Sequence, residues 1–192
     1  MTKTKIVALT APSGSGKTTI ARRVLATFPE MTFSVSATTR PRREGERHGV
    51  HYYFMSKDEF HALIDAGGFI EYEAFYGFYY GTLRAEVERA TAAQPFLLDI
   101  DVKGALEIKR LYAGDALVIF IRPPSLAVLA QRLRKRDTET EASLRLRLDR
   151  ARLELTYADR FDTIVVNDDL EQAVEETIRL IRAFLQPGMD AD

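Results

Sequence analysis

The sequence predicts an α/β fold: a mostly parallel β-sheet core with helices on both faces, interrupted by two charged excursions. Four apolar runs, Ile6–Thr10, Phe96–Ile100, Ala116–Ile121 and Thr163–Val166, are continuous rather than alternating, as befits strands covered on both sides. Helical patterns are interleaved with these runs, the order expected of a parallel sheet. The segments 34–89 and 125–160 are rich in charge and arginine and break that pattern. They read as excursions from one core made of about 1–33, 90–124 and 161–192, so the whole of 1–192 is one domain.

Taken in order, Ile6–Thr10 is a buried strand and Thr18–Phe28 the helix that follows it. Phe33–Ser36 reads as a short strand, and Ser36 to Gly49 as a basic loop punctuated by Pro41, Gly45 and Gly49. Ser56-Lys-Asp-Glu59 is a capping box ahead of the helix Phe60–Asp65. Phe69–Phe75 is strand-like and Gly77–Gly81 reads as a turn. A helical pattern runs from Gly104 to Leu111, and Pro123-Pro124 stops the strand Ala116–Ile121. Leu170–Leu185 closes the chain as a helix with Leu170, Ala173, Val174, Thr177, Ile178, Ile181 and Leu185 on one face.

Composition narrows the function classes. Lys plus Arg number 27 against 28 for Asp plus Glu, a net charge of -1, which gives no global attraction to nucleic acid or membrane. Anion binding must come from local clusters of cations. There is no cysteine, which excludes disulfides, thiol catalysis and Cys-ligated metals. The apolar run after Met1-Thr-Lys-Thr-Lys5 is too short for a signal peptide, and no segment reaches membrane-spanning length. A cytoplasmic protein is expected.

The strand Ile6–Thr10 runs into Ala11-Pro-Ser-Gly-Ser-Gly-Lys-Thr-Thr19, a phosphate-binding loop (P-loop) in strand–loop–helix context. Gly14, Ser15 and Gly16 let backbone N–H groups turn around phosphate oxygens, at the positive end of the next helix. Lys17 reaches the β and γ phosphates and the Thr18 hydroxyl holds magnesium. Ala11 stands where the pattern has its first glycine, a substitution that is costly only if the backbone there needs a positive φ. Pro12, Ser13 and Thr19 complete the expected ATP-binding set.

Further motifs follow in order: Phe33-Ser-Val-Ser-Ala-Thr-Thr-Arg-Pro-Arg-Arg-Glu-Gly-Glu46, Gly49-Val-His-Tyr-Tyr-Phe54, Phe69-Ile-Glu71, Gly77-Phe-Tyr-Tyr-Gly-Thr82, Leu98-Asp-Ile-Asp-Val-Lys-Gly104 and Val165-Val-Asn-Asp168. With the phosphate loop they resemble guanylate kinase over nearly the whole chain. The resemblance implies a P-loop core, an inserted GMP-binding subdomain at 34–89 and a helical lid at 125–160. It implies ATP-dependent phosphorylation of GMP, and of dGMP, to GDP, an essential step in guanine nucleotide synthesis and recycling. ATP and GMP would be the partners; a homodimer is left open.

By the same match, Arg40, Arg43, Tyr52 and Tyr80 would bind the GMP phosphate, for which forked, permanently charged donors are suited. Glu71 would accept the N1–H and 2-amino donors of guanine, where adenine offers a bare lone pair. Ser36, Thr82 and Asp101 complete the base site. Asp99 would orient magnesium while Thr18 binds it directly. Arg132, Arg136 and Arg147 match the lid's phosphate-facing arginines, which with Lys17 form the catalytic set, and Asn167 matches a residue on the adenine side. Read without the family, the lid is a charged helical hairpin with Arg145–Asp149 and Arg150–Glu154 as exposed i,i+4 pairs.

Some positions depart from the family pattern. Thr38-Thr-Arg-Pro-Arg-Arg43 brings proline forward from the usual T-T-R-x-P-R, so Arg42 competes with Arg43 and the backbone of Arg40 is re-aimed. Lys103 replaces the usual glutamine and has no evident task, and Asp137 stands where glycine is usual after Arg136. Two rivals remain. A kinase for another acceptor, such as a sugar phosphate, would lack the guanine set. A catalytically dead guanylate-kinase-like binding module would typically have lost the phosphate loop.

Overall fold

The computed structural model describes residues 5–75, 77–89, 94–134 and 141–186. In chain order its elements are β1 (Ile6–Thr10), α1 (Lys17–Thr27), β2 (Thr32–Phe33), β3 (Ala37–Thr38), β4 (Tyr53–Phe54), α2 (Lys57–Asp65), β5 (Phe69–Phe75), β6 (Phe78–Leu83), α3 (Arg84–Val87), β7 (Phe96–Asp99), α4 (Val102–Tyr112), β8 (Ala116–Arg122), α5 (Leu126–Arg134), α6 (Glu141–Leu155), β9 (Thr163–Val166) and α7 (Leu170–Leu185).

A five-stranded, all-parallel sheet of order β2-β7-β1-β8-β9 forms the core. Every residue of β1 is buried. Ile6 and Ala8 face one side with Leu98, Val118, Phe120 and the Ala105–Ile108 stripe of α4. Val7 and Leu9 face the other, against Ile20 and Val24 of α1 and Val174 and Ile181 of α7. Successive side chains point to opposite faces, so a strand sandwiched between helices must be apolar throughout. That is why the core strands were legible as unbroken runs.

The second sheet, order β4-β3-β6-β5, is built from residues 37–83. Phe60 of α2 stacks on Phe69 (4.3 Å between centroids) and on Tyr79 (5.4 Å) to give it a small core. The capping box at α2 is complete: Glu59 N–H donates to Ser56 Oγ at 3.2 Å and Ser56 N–H to Glu59 Oε2 at 2.7 Å. The helix therefore begins at Lys57, ahead of the apolar pattern that announced it.

Several sequence expectations are corrected. Gly77–Gly81 is not a turn: the chain reverses at Gly77 (φ 79°), and Phe78–Leu83 is a strand antiparallel to β5. Gly81 lies inside that strand because a Cβ there would come within 2.7 Å of the Phe69 ring and 3.0 Å of the Glu71 carbonyl oxygen. The strand expected at Phe33–Ser36 is Thr32–Phe33, and Ala37–Thr38, within the expected loop, pairs into the second sheet. Helix α4 starts at Val102, because the Asp101 carboxylate accepts Gly104 N–H at 2.8 Å as its cap.

Helices α5 and α6 pack on each other through Leu129, Leu133, Leu144 and Ala151. No helix among the described residues is long and apolar enough to cross a membrane.

Candidate functional site

The loop from β1 to α1 is shaped by backbone. Gly14 and Gly16 both adopt φ 93°, a region that L side chains avoid. A Cβ on Gly16 would also sit 2.2 Å from Asn167 Nδ2, which donates to the Ser15 carbonyl at 2.7 Å. Asn167 is buried and braces the loop from below. Ala11 is buried and does not have a positive φ, so alanine meets no conformational penalty at the first loop position. The N-terminus of α1 has neither a side-chain cap nor an acidic residue in its first turn, which leaves its N–H groups available for an anion.

Three side chains meet at the end of this loop. Lys17 Nζ lies 2.6 Å from Asp99 Oδ1 and donates to the Ile100 carbonyl at 2.8 Å. Thr18 Oγ1 donates to Asp99 Oδ2 at 3.4 Å. An alcohol and a carboxylate oxygen side by side form a hard, oxygen-only donor set of the kind magnesium takes, with phosphate and water as its other ligands. Among the described residues there is no cluster of three or more His, Cys, Asp or Glu suited to hold a metal on protein ligands alone.

A cavity of about 670 Å³ runs from the phosphate loop to the second sheet. Ser36, Tyr52, Glu71, Tyr80, Thr82 and Asp101 all line its far end. Glu71 Oε1 accepts the Thr82 hydroxyl at 2.7 Å. Burial pushes the Glu71 carboxyl up to about 7; the Thr82 hydrogen bond opposes this and Asp101 adds to it. Helix α4 approaches so closely that a Cβ on Gly104 would lie 2.6 Å from Glu71 Cγ.

The two GMP-phosphate arginines expected from sequence do not line this cavity. Arg40 is buried in a bidentate pair with Glu46 (2.8 and 2.6 Å), donates to the Pro41 carbonyl at 2.8 Å, and lies 5.2 Å from the Tyr52 ring centroid. Arg40 holds the Glu46 carboxyl down at about 2, well below the usual carboxylate range. Arg43 gives Glu46 its backbone N–H at 2.7 Å, and its side chain is exposed. The forward shift of Pro41 thus accompanies an arginine folded onto its own loop.

From helices α5 and α6, Arg147 donates to Ser13 Oγ of the phosphate loop at 3.1 Å, and Arg132 to the Asn167 carbonyl at 3.0 Å. Arg136 and Asp137 lie outside the described residues. Arg150 and Glu154 do pair, at 2.8 Å, but they are not an exposed surface pair: both line the cavity. Asp149 pairs with Arg152 at 2.6 Å rather than with Arg145. Glu73, which the sequence reading passed over, also lines the cavity. Its position two after Glu71 on one strand was the signal that could have found it.

A parallel core, an uncapped phosphate loop and a cavity walled by a second sheet and a helical hairpin define the class: a P-loop nucleotide kinase. The family model described as guanylate kinase matches residues 3–184. The chain is 56% identical over 182 residues to guanylate kinase of Chlorobium luteolum, covering 94% of this chain and 92% of that one. It is 58% identical over 181 residues to guanylate kinase of Salinibacter ruber, covering 94% and 96%. The crystal structure of guanylate kinase from Anaplasma phagocytophilum superposes with a TM-score of 0.75 at 31% identity, covering 95% of this chain and 88% of that one. The chain belongs to the guanylate kinase family. It is an enzyme that phosphorylates GMP to GDP with ATP.

Proposed function

We propose that one cavity holds both substrates, with the ATP phosphates on the loop Ala11–Thr19 and guanine between Glu71, Thr82, Ser36 and Asp101. The observation that carries this is the single cavity with the phosphate loop at one end and the half-buried Glu71 carboxylate at the other. Glu71, ionised, accepts the paired N1–H and 2-amino donors of guanine. Hydroxyls of Tyr52 and Tyr80, which line the cavity, take the GMP phosphate, and Arg40 and Arg43, outside the lining in the free site, reach it only by turning in from their loop. None of these contacts depends on the ribose 2′-hydroxyl, so dGMP is an acceptor as well.

Thr18 and Asp99 would hold magnesium, which shields phosphate charge when bound. Lys17 leaves its place on Asp99 for the β and γ phosphates, and Arg132, Arg136 and Arg147 meet the charge of the transferring group. An oxygen of the GMP phosphate bonds to the γ-phosphorus as the bond to ADP breaks in line, and ADP leaves with the electron pair. The nucleophile is already an anion, so no general base is required. Catalysis is positioning and charge neutralisation, with segments 34–89 and 125–160 closing over the substrates to exclude water. A cytoplasmic setting, where ATP and GMP are both at hand, suits this chemistry.

The test is ADP release with ATP and magnesium, offering GMP, dGMP, AMP, CMP and UMP in turn. Rapid turnover of GMP and dGMP with AMP far slower is expected. AMP turned over as readily as GMP would contradict the placement of guanine on Glu71, Thr82, Ser36 and Asp101.

A further inference from the structure

We propose that Glu73 is a positioning residue that seats the lid helix α6 over the guanine end of the cavity through Arg150, an inference that rests on the placement of both substrates in that cavity proposed above. Glu73 shares a strand face with Glu71, and both carboxylates line the cavity. Arg150 Nη2 donates to Glu73 Oε2 at 2.6 Å and Arg150 Nε to Glu154 Oε1 at 2.8 Å. Asp101 Oδ2 lies 3.8 Å from the same guanidinium, and Lys103 Nζ lies 3.8 Å from Glu73 Oε1. Lys103, idle in the sequence, thus faces this cluster.

The pair is more than surface decoration. The Arg150 side chain is 34% exposed and that of Glu73 24%, so water screens it less than a surface ion pair. Burial and the neighbouring Asp101 push the Glu73 carboxyl up, and Arg150 opposes them. Arg147 and Arg150 are three residues apart on α6 and share a face. Arg147 reaches Ser13 at the donor end while Arg150 reaches Glu73 at the acceptor end. One helical turn of the lid therefore spans both substrates, and seating Arg150 on β5 sets the angle at which Arg147 meets the phosphate loop.

The cluster also dictates an asymmetry. Neutralising Glu73 leaves Arg150 with Glu154 and Asp101. Removing Arg150 leaves Glu73, Glu154 and Asp101 facing one another without their shared cation, the costlier change.

The experiment is steady-state kinetics on the whole chain for Glu73→Gln, Arg150→Met, Arg150→Lys and the double variant Glu73→Gln/Arg150→Met, with thermal midpoints of each. Glu73→Gln is expected to lower kcat about tenfold, with KM for ATP moving less. Arg150→Met should lose more, Arg150→Lys should recover part of it, and adding Glu73→Gln to Arg150→Met should cause no further loss. Arg150→Lys and Glu73→Gln keep a cation or a hydrogen-bonding group in place, so both remain informative if Arg150→Met fails to fold. Wild-type kcat in Glu73→Gln, or losses that multiply in the double variant, would overturn the positioning role. So would a reduced GMP-over-IMP preference in Glu73→Gln but not in the Arg150 variants, which would make Glu73 a direct guanine contact. Absence of any GMP-over-AMP preference in the wild-type chain would instead defeat the substrate placement on which the inference rests.

Discussion

The two ends of the cavity are built by different means. At the donor end, backbone does the holding: two glycines at φ 93°, an uncapped helix terminus and an asparagine bracing Ser15. At the acceptor end, polar side chains hold one another: Glu71 takes the Thr82 hydroxyl and Arg150 sits among Glu73, Glu154 and Asp101, with the Arg40–Glu46 pair beside the cavity rather than in its lining. Backbone amides bind anions with little dependence on pH, whereas a buried carboxylate responds to its surroundings. The donor end should therefore be brittle to shape and the acceptor end sensitive to charge and pH.

The largest expected effect tests the donor end. Lys17→Ala should lower kcat by about 10³-fold or more, the scale for loss of one preorganised charge at a transferring group, while circular dichroism shows a folded chain. Full activity would remove the phosphate loop from the chemistry. Gly16→Ala combines a left-handed φ with a Cβ 2.2 Å from Asn167 Nδ2. It should destabilise by about 1–3 kcal/mol and raise KM for ATP; a wild-type melting curve would contradict the strain.

The acceptor end is expected to titrate. Glu71 must be ionised to accept both guanine donors, and in the free site its carboxyl stands at about 7. Lowering pH from 8 to 6 should cut kcat/KM for GMP about tenfold as the ionised fraction falls, and Glu71→Gln should flatten that profile. The stability effect has the opposite sign. Because the folded value lies above the ordinary 4.5, this carboxyl favours folding below the ordinary value and loses that contribution as pH rises through about 7. At pH 8 Glu71→Gln should therefore raise Tm by a few degrees, on the order of 3 °C. Ala11→Gly marks the small end, with a change within about 1 kcal/mol, because Ala11 already has an ordinary φ.

The same contrast explains what was legible in the sequence. Ala11–Thr19 is contiguous, and glycine spacing, Lys17 and Thr18 disclose its shape directly. Core strands appeared as unbroken apolar runs because both faces are covered. Helix α7 and the Ser56–Glu59 capping box were local signals as well. The acceptor end depends on long-range pairing, which local patterns do not contain. Strand β6 was hidden by Gly77 just before it and Gly81 within it, although Gly81 is there to clear Phe69. Arg150 looked like half of a surface pair because its partner Glu73 is 77 residues away. The fold-back of Arg40 onto Glu46 was likewise invisible, and only the displaced Pro41 hinted at it.

The most direct measurement is the ratio of kcat/KM for GMP to that for AMP, in wild type and in Glu71→Gln, at pH 8. A high ratio in wild type that falls by about a hundredfold or more in the variant, with AMP turnover little changed, is the result expected of a half-buried carboxylate that reads guanine. An unchanged ratio would place base selection elsewhere and contradict the assignment of that end of the cavity.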